Sequence, residues 1–406
     1  MQCGLLGRVL GHSYSPMIHG LLAPYRYALF AQEPEQLDAF LRTGCWDGLN
    51  VTIPYKKAAV PYCAELSSTA ARLGSVNTLV RRPDGTIFGA NTDYDGFRFL
   101  VQQSGIPVAG KKALVFGSGG ASVTVCAVLE DLGASSVTVV SRSGADNYDN
   151  LDRHTDAQLL ANTTPLGMYP NPGVAAVDLS RFPRCEGVFD IVYNPARTAL
   201  LLQAEALGIP HAGGLSMLVA QARRSAELFT GEPIPDDRLA EVERAVRSRL
   251  ENIILIGMPG SGKSTVAAAL GAALDREVVE CDAYIEQQAG CSIPEIFASG
   301  GETAFRAFET QALAALGKRS GIILSTGGGC VTRPENYPLL HQNGTIFWLQ
   351  RDLTKLPVDG RPLSQREGAA QMYARREPLY ARFADVQISN DGSVADTVAA
   401  LRRYLK

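Results

Sequence analysis

Residues 257–265 constrain this chain more than any other stretch: they read Gly-Met-Pro-Gly-Ser-Gly-Lys-Ser-Thr. They match G-x-x-x-x-G-K-[ST] at every fixed position. The preceding run Asn252-Ile253-Ile254-Leu255-Ile256 predicts a short buried strand, and the Ala/Leu-rich residues 266–274 predict a helix. Strand, glycine loop and helix in that order are what a phosphate-binding loop requires. Glycine lets successive backbone N–H groups turn inward, and the helix N-terminus adds partial positive charge. Gly260, Ser261, Gly262, Lys263, Ser264 and Thr265 are therefore the expected nucleotide-binding residues. Lys263 would reach the β- and γ-phosphates, and Ser264 would offer its hydroxyl to Mg²⁺.

At 406 residues the chain has room for two or three domains. A net charge of −3 with no polybasic run gives no electrostatic case for nucleic acid or a membrane surface. Residues 1–10 lack a charged leader followed by an apolar core, and no apolar run is long enough to span a bilayer. The eight cysteines are scattered without a C-x-x-C pair. That usage fits reduced thiols in the cytoplasm, not a disulfide frame or a zinc site.

The first hundred residues carry an ordered series of polar clusters. Gly11-His12-Ser13-Tyr14-Ser15-Pro16 precedes a predicted helix. Ser13 and Ser15 could bind a polyol or carboxylate, but alone Ser-x-Ser-Pro reads first as a helix cap and turn. Asn50-Val51-Thr52-Ile53-Pro54-Tyr55-Lys56 runs from a strand into Pro54, which ends the ladder and puts Lys56 near the start of the next helix. Taken singly, Lys56 fits a solvated surface charge. Val76-Asn77-Thr78-Leu79 and Gly89-Ala90-Asn91-Thr92-Asp93 follow, flanking a hairpin-like turn.

In that order, HSxSPxIH, NVTxPYK, VNTL and GxNTDxxG resemble shikimate dehydrogenase. The resemblance implies that Ser13, Ser15, Thr52, Asn77 and Asp93 hold shikimate and that Lys56 and Asp93 form a catalytic pair. Those residue types suit the chemistry. Hydride reduction of a ketone leaves an alkoxide that needs a proton, and a lysine ammonium oriented by a carboxylate can supply it.

Residues 111–116 predict a strand entering Gly117-Ser118-Gly119-Gly120-Ala121-Ser122, with a helix at 123–132 and a second strand at 136–141. This βαβ pattern with a glycine turn suits a dinucleotide pyrophosphate. Ser122 replaces the third glycine of G-x-G-x-x-G, but the run resembles the GxGGAx variant of the same family. Ser141-Arg142-Ser143 places a guanidinium, and no acid, where a ribose 2′-phosphate would sit, which favours NADP(H). Asp146 stands where the family usually carries a second arginine. By the same resemblance Met168 packs beside the nicotinamide, Gly214 opens the closing helix, and Tyr193 and Gln221 touch substrate.

Beyond the phosphate loop, D-x-x-I-E, GE-x-x-FR-x-x-E, GGG, RPL and R-x-PLY resemble shikimate kinase. That implies Asp282 as base or orienting group for the substrate hydroxyl. Arg306 and Arg376 would bind the shikimate carboxylate beside the backbone of Gly327, Gly328 and Gly329. Arg361 would neutralise charge on the transferring phosphoryl group. Glu280 stands where the family often has an aspartate that helps to hold Mg²⁺. An arginine usually found before Arg361 has no clear match, and Lys355 is the stand-in the sequence offers.

The expected architecture is α/β: a substrate domain at 1–100, a Rossmann-type NADP domain at 101–235, a helical junction at 236–250 and a P-loop kinase domain with a parallel sheet at 251–406. The expected function is bifunctional, with 3-dehydroshikimate, shikimate and ATP as substrates. The alternatives are a quinate-preferring dehydrogenase, a kinase for another small molecule, or a ligand sensor in one half. Lys56, Asp93, Lys263 and Asp282 are all present, which argues against the sensor.

Overall fold

The computed structural model describes residues 1–11, 13–356 and 368–405. The chain divides into two compact units, Met1–Asn194 with Thr198–Val246, and Pro195–Arg197 with Arg247–Lys406. The helix Asp236–Leu250 contains the last of the three points of division.

The first unit holds two sheets. Strands β1 (Gln2–Gly7), β2 (Arg26–Ala31), β3 (Gly48–Val51), β4 (Glu65–Leu66), β5 (Thr78–Arg81) and β6 (Ile87–Ala90) form the order β2-β1-β3-β5-β6-β4. β5 runs antiparallel to both β3 and β6, so this sheet is mixed. Leu6, Leu49, Val51 and Leu79 are buried on it together with Trp46. The second sheet is wholly parallel. It comprises β7 (Lys112–Phe116), β8 (Ser136–Val140), β9 (Leu159–Asn162), β10 (Gly187–Asp190) and β11 (His211–Gly213), ordered β11-β10-β9-β7-β8. Apolar residues of β7 face both sides, which is why the strand reads as a continuous hydrophobic run. The strand order reverses between β7 and β9, and open α/β sheets bind ligands at the carboxyl end of such a switch point.

The second unit has one parallel sheet of β12 (Asn252–Ile256), β13 (Val278–Glu280), β14 (Ile323–Ser325), β15 (Gly344–Gln350) and β16 (Val386–Ser389), ordered β13-β14-β12-β15-β16. β12 is central, with every residue buried. Loops after β12, β14 and β15 therefore leave the sheet side by side.

One local expectation is revised. Lys56 does not open a helix. Residues 53–59 are turns, followed by the short 3₁₀ segment Val60–Tyr62. Pro54 and Pro61 bracket this stretch, and a proline cannot donate the backbone hydrogen bond a longer helix needs.

Candidate functional site

In the first unit, Lys56 Nζ donates to Asp93 Oδ2 at 2.5 Å. The two side chains keep 23% and 14% of their surface exposed, so the pair is shielded yet open on one side. Asp93 lies in the first turn of the helix Thr92–Ser104, where the helix dipole favours an anion. Asn77 Nδ2 donates to Asp93 Oδ1 at 2.9 Å, and Asn77 Oδ1 accepts from the Thr92 N–H at 2.6 Å. Lys56 is anchored through its backbone, whose carbonyl accepts from the Val76 N–H at 2.9 Å. Both arms of the pair are thus tied to the ends of the β5–β6 hairpin.

Behind them lies a buried polar network that the sequence did not mark as functional. Ser225 Oγ meets Asn50 Nδ2 at 2.7 Å, Thr78 Oγ1 at 2.9 Å and Thr92 Oγ1 at 3.0 Å. Each member is satisfied, which rigidifies such a cluster rather than weakening it. His19 serves nearby as a packing element. It stacks on Tyr27 at 4.0 Å, and burial lowers its pKa to about 3, so the ring is neutral. His12 lies outside the described residues.

The remaining substrate candidates belong to the same unit. Ser13 Oγ accepts from the Ser15 N–H at 3.2 Å in the turn before the helix Ser15–Leu22, but the N-cap residue is Tyr14 and no side chain caps the helix. The Tyr14 ring between them sits 5.5 Å from the Tyr193 ring. Thr52 follows β3, its N–H bonded to the Leu6 carbonyl at 2.9 Å. Gln221 is on the helix Leu215–Thr230, its Nε2 donating to the Leu218 carbonyl at 2.9 Å. Gly96 sets its approach: a Cβ there would stand 2.6 Å from the Met217 carbonyl oxygen and 2.9 Å from Gln221 Cβ. The bare backbone lets the two helices meet, about one turn from Asp93.

The dinucleotide candidates gather at the carboxyl end of the second sheet. Gly117 has φ 106°, and its place against Thr163 leaves no room for a side chain. Gly119 and Gly120 open the helix Gly120–Asp131 with nothing within 4 Å of where a Cβ would lie, so a ligand can approach their backbone. Ser118 lines a cavity of about 470 Å³. Gly214 admits no side chain either, since a Cβ would collide with the Ile191 carbonyl oxygen. Met168 is 44% exposed. After β8, the Ser141 N–H donates to the Asp146 carbonyl at 3.1 Å, while Arg142 and Ser143 are exposed. His154 Nε2 lies 2.6 Å from Asp146 Oδ1 and so engages this carboxylate beside the strand end.

Asp190, at the end of β10, ties these loops together. Its carboxylate accepts from Asn162 Nδ2 at 3.0 Å, the Val192 N–H at 3.0 Å and Thr198 Oγ1 at 2.6 Å. Burial outweighs the three donors and raises its pKa from 3.8 to about 7. The unfolded carboxyl ionises near 3.8, whereas the folded one keeps its proton until about 7. In that window the folded state binds more protons, so stability of this unit falls as pH rises, by on the order of 4 kcal/mol at most. Asp190→Asn is expected to flatten that fall in a melting-temperature series across the window. A variant whose series keeps the wild-type slope would place the titration elsewhere.

In the second unit, one cavity of about 660 Å³ is lined by the phosphate loop, Glu280, Asp282, Arg306, Gly327, Gly328, Gly329 and Arg376. Gly257, Gly260 and Gly262 all have positive φ, which lets the loop coil round its own N–H groups. Lys263 is buried, and its Nζ donates to the Gly257 and Met258 carbonyls at 3.0 Å each. Ser261 and Thr265 flank it on the loop and the helix Lys263–Leu274. Ser264 Oγ donates to Glu280 Oε2 at 3.0 Å, so the hydroxyl and the carboxylate converge. Among the described residues no cluster of three or more His, Cys, Asp or Glu side chains could hold a metal.

Asp282 lies in the first turn of the helix Cys281–Ala289, and burial pushes its pKa up against the pull of Lys263. Arg306 is on the helix Ile293–Leu316, after a kink at Gly301. Its Nη1 donates to Glu309 Oε2 at 2.7 Å and its Nη2 to Glu302 Oε1 at 3.1 Å. Burial works against the charged guanidinium, yet the two carboxylates outweigh it and hold its pKa above the ordinary value. Gly329 is a glycine because Arg306 lies on it: a Cβ there would collide with the guanidinium. Arg376 Nη1 donates to the Gly328 carbonyl at 3.1 Å, and Tyr380 OH donates to the same oxygen. The fully buried Glu309, outside the expected site residues, is the counter-ion that aims Arg306. Arg361 lies outside the described residues.

Comparison with known proteins shows which families the chain resembles. The family model for the shikimate dehydrogenase substrate binding domain matches residues 5–79. The shikimate dehydrogenase (NADP(+)) of Methanopyrus kandleri is 36% identical over 274 residues, covering 59% of this chain and 93% of that protein. The chain belongs to the shikimate dehydrogenase family. The shikimate kinase family model matches residues 259–405, so a kinase unit is fused to the dehydrogenase. Among solved structures, a chorismate mutase/shikimate 5-dehydrogenase fusion protein from Clostridium acetobutylicum is 34% identical with a TM-score of 0.57, covering 60% of this chain and 96% of that one. Shikimate 5-dehydrogenase from Thermus thermophilus, in complex with NADP(H) and shikimate, is 30% identical with a TM-score of 0.55, covering 60% and 99%. Among the described residues of this dehydrogenase–kinase fusion, no helix is long and apolar enough to cross a membrane.

Proposed function

We propose that this chain performs two successive reactions on one small acid. Its first unit reduces 3-dehydroshikimate to shikimate, and its second phosphorylates shikimate with ATP. NADPH, when bound, supplies the hydride. Lys56 holds the ketone oxygen and gives it a proton as negative charge develops, while Asp93 keeps the ammonium in place. Ser13, Ser15, Thr52, Asn77, Tyr193 and Gln221 position the ring around that pair. Gly117, Ser118, Gly119, Gly120 and Ala121 face the pyrophosphate, Ser141, Arg142 and Ser143 the 2′-phosphate, and Met168 and Gly214 the nicotinamide side.

In the second unit Arg306 and Arg376 hold the carboxylate and Asp282 orients the hydroxyl that attacks ATP. Asp282 fits that role because a carboxyl whose pKa is raised by partial desolvation in the cavity accepts a proton more readily. Ser264 and Glu280 would hold Mg²⁺, which would supply positive charge to offset that on the transferring phosphoryl group. The observation that carries this reading is that Lys263, Asp282, Arg306 and Arg376 wall a single cavity, each on a different element.

Eight free cysteines, three of them buried, suit a reducing cytoplasm. The reading is tested by steady-state reduction of 3-dehydroshikimate with each nicotinamide cofactor. NADPH is expected to be preferred over NADH. A clear preference for NADH would overturn the role given to Arg142.

A further inference from the structure

One charged side chain on the kinase cavity belongs to none of the motifs above. Arg351 follows β15, which pairs directly with β12, Trp348 opposite Ile256. The phosphate loop and Arg351 therefore leave the sheet as neighbours. A Cβ built on Gly262 would stand 3.6 Å from Arg351 Nη1 and 2.7 Å from Asn390 Nδ2. Asn390 donates to the Ser261 carbonyl at 2.6 Å and accepts from Thr397 Oγ1 at 2.7 Å, so this corner is held in place.

Arg351 itself is unpartnered among the described residues. Among the described residues its side chain makes no hydrogen bond and no ion pair, and its Nε is buried without an acceptor. The next residues are engaged. Asp352 accepts from the Thr354 N–H at 2.9 Å, and Lys355 Nζ donates to the Asp391 carbonyl at 3.3 Å. Lys355, the stand-in offered by the sequence, is thus tied to Asp391, whereas Arg351 lines the cavity with Lys263 and Gly262. A half-buried guanidinium without a counter-ion is unfavourable. It lines one cavity with Lys263 and the N-terminal, positive end of the helix Lys263–Leu274, so three sources of like charge border one space. Glu280, Asp282 and Glu309 also line this cavity, and a polyanion bound on the loop would relieve the like charge around Arg351.

We propose that Arg351 pairs with the polyphosphate of the nucleotide bound on this loop. Its planar fork matches two phosphate oxygens, which an ammonium cannot do. The inference rests on the kinase reading of this unit and adds a binding residue to it.

The test uses the full chain with Arg351→Met, which keeps an apolar stem and removes the charge, and Arg351→Lys. The methionine variant is expected to raise the ATP KM about 10- to 100-fold, the scale of a charge-assisted hydrogen bond. Shikimate KM and NADPH-dependent reduction stay unchanged, and the lysine variant recovers part of the loss. Affinities for ATP, AMP and adenosine separate the phosphates from the base, with the largest loss expected for ATP and none for adenosine. An unchanged ATP KM, in a wild type that turns over, would overturn the role of Arg351. An equal loss for adenosine would move the contact to the base and overturn the phosphate assignment. A wild type with no shikimate-dependent ADP release would sink the kinase reading itself.

Discussion

Lys56→Ala is expected to lower the turnover of 3-dehydroshikimate about 10²- to 10⁴-fold, the range that a positioned general acid contributes. The reason is local. Lys56 Nζ and Asp93 Oδ2 meet at 2.5 Å, and Asp93 is already fixed by Asn77 at 2.9 Å. Removing the ammonium leaves the carboxylate in place with no proton donor beside it. Dinucleotide binding should survive, because the glycine turn after β7 stands on a different sheet. The measurement is kcat for reduction alongside NADPH affinity by fluorescence titration. Near-normal kcat would remove Lys56 from the chemistry.

Arg306→Ala is expected to raise the shikimate KM of the kinase reaction about 10- to 150-fold, the equivalent of one hydrogen bond to a charged group. It also strands Glu309, which has no surface exposed and whose Oε1 already lacks a partner among the described residues. Leaving a buried charge uncompensated costs about 3–5 kcal/mol, so folding of this unit must be checked independently. ATP affinity provides that check, and Arg306→Ala/Glu309→Gln separates lost substrate charge from the stranded carboxylate. If the double variant bound shikimate as tightly as wild type, the carboxylate would sit elsewhere in the cavity.

Much of this was legible in the chain because the functional groups sit in short runs at strand ends. Residues 257–265 coil into the expected loop, and the spacing of Arg306 and Glu309 does place them on one helix face. The five-stranded parallel sheets follow from alternating strand and helix patterns. What escaped were contacts between distant segments. Asn50 and Ser225 are 175 residues apart yet share a hydrogen bond. Arg351 stands beside Gly262 only because β15 pairs with β12, a register no local pattern encodes. Asp190 reads as one polar residue at a strand end, while its role depends on Asn162 and Thr198 folding onto it. The helix start expected at Lys56 fails because Pro61, five residues on, opposes further helix.

The central claim is that one chain carries two separate sites that act in turn on the same molecule. The most direct measurement supplies purified protein with 3-dehydroshikimate, NADPH and ATP, and follows NADPH loss and ADP release together. Wild type is expected to form shikimate 3-phosphate. Lys56→Ala is expected to lose both signals and to regain ADP release, without NADPH loss, when shikimate is added. ADP release that ignores shikimate, or NADPH loss that ignores 3-dehydroshikimate, would contradict the account.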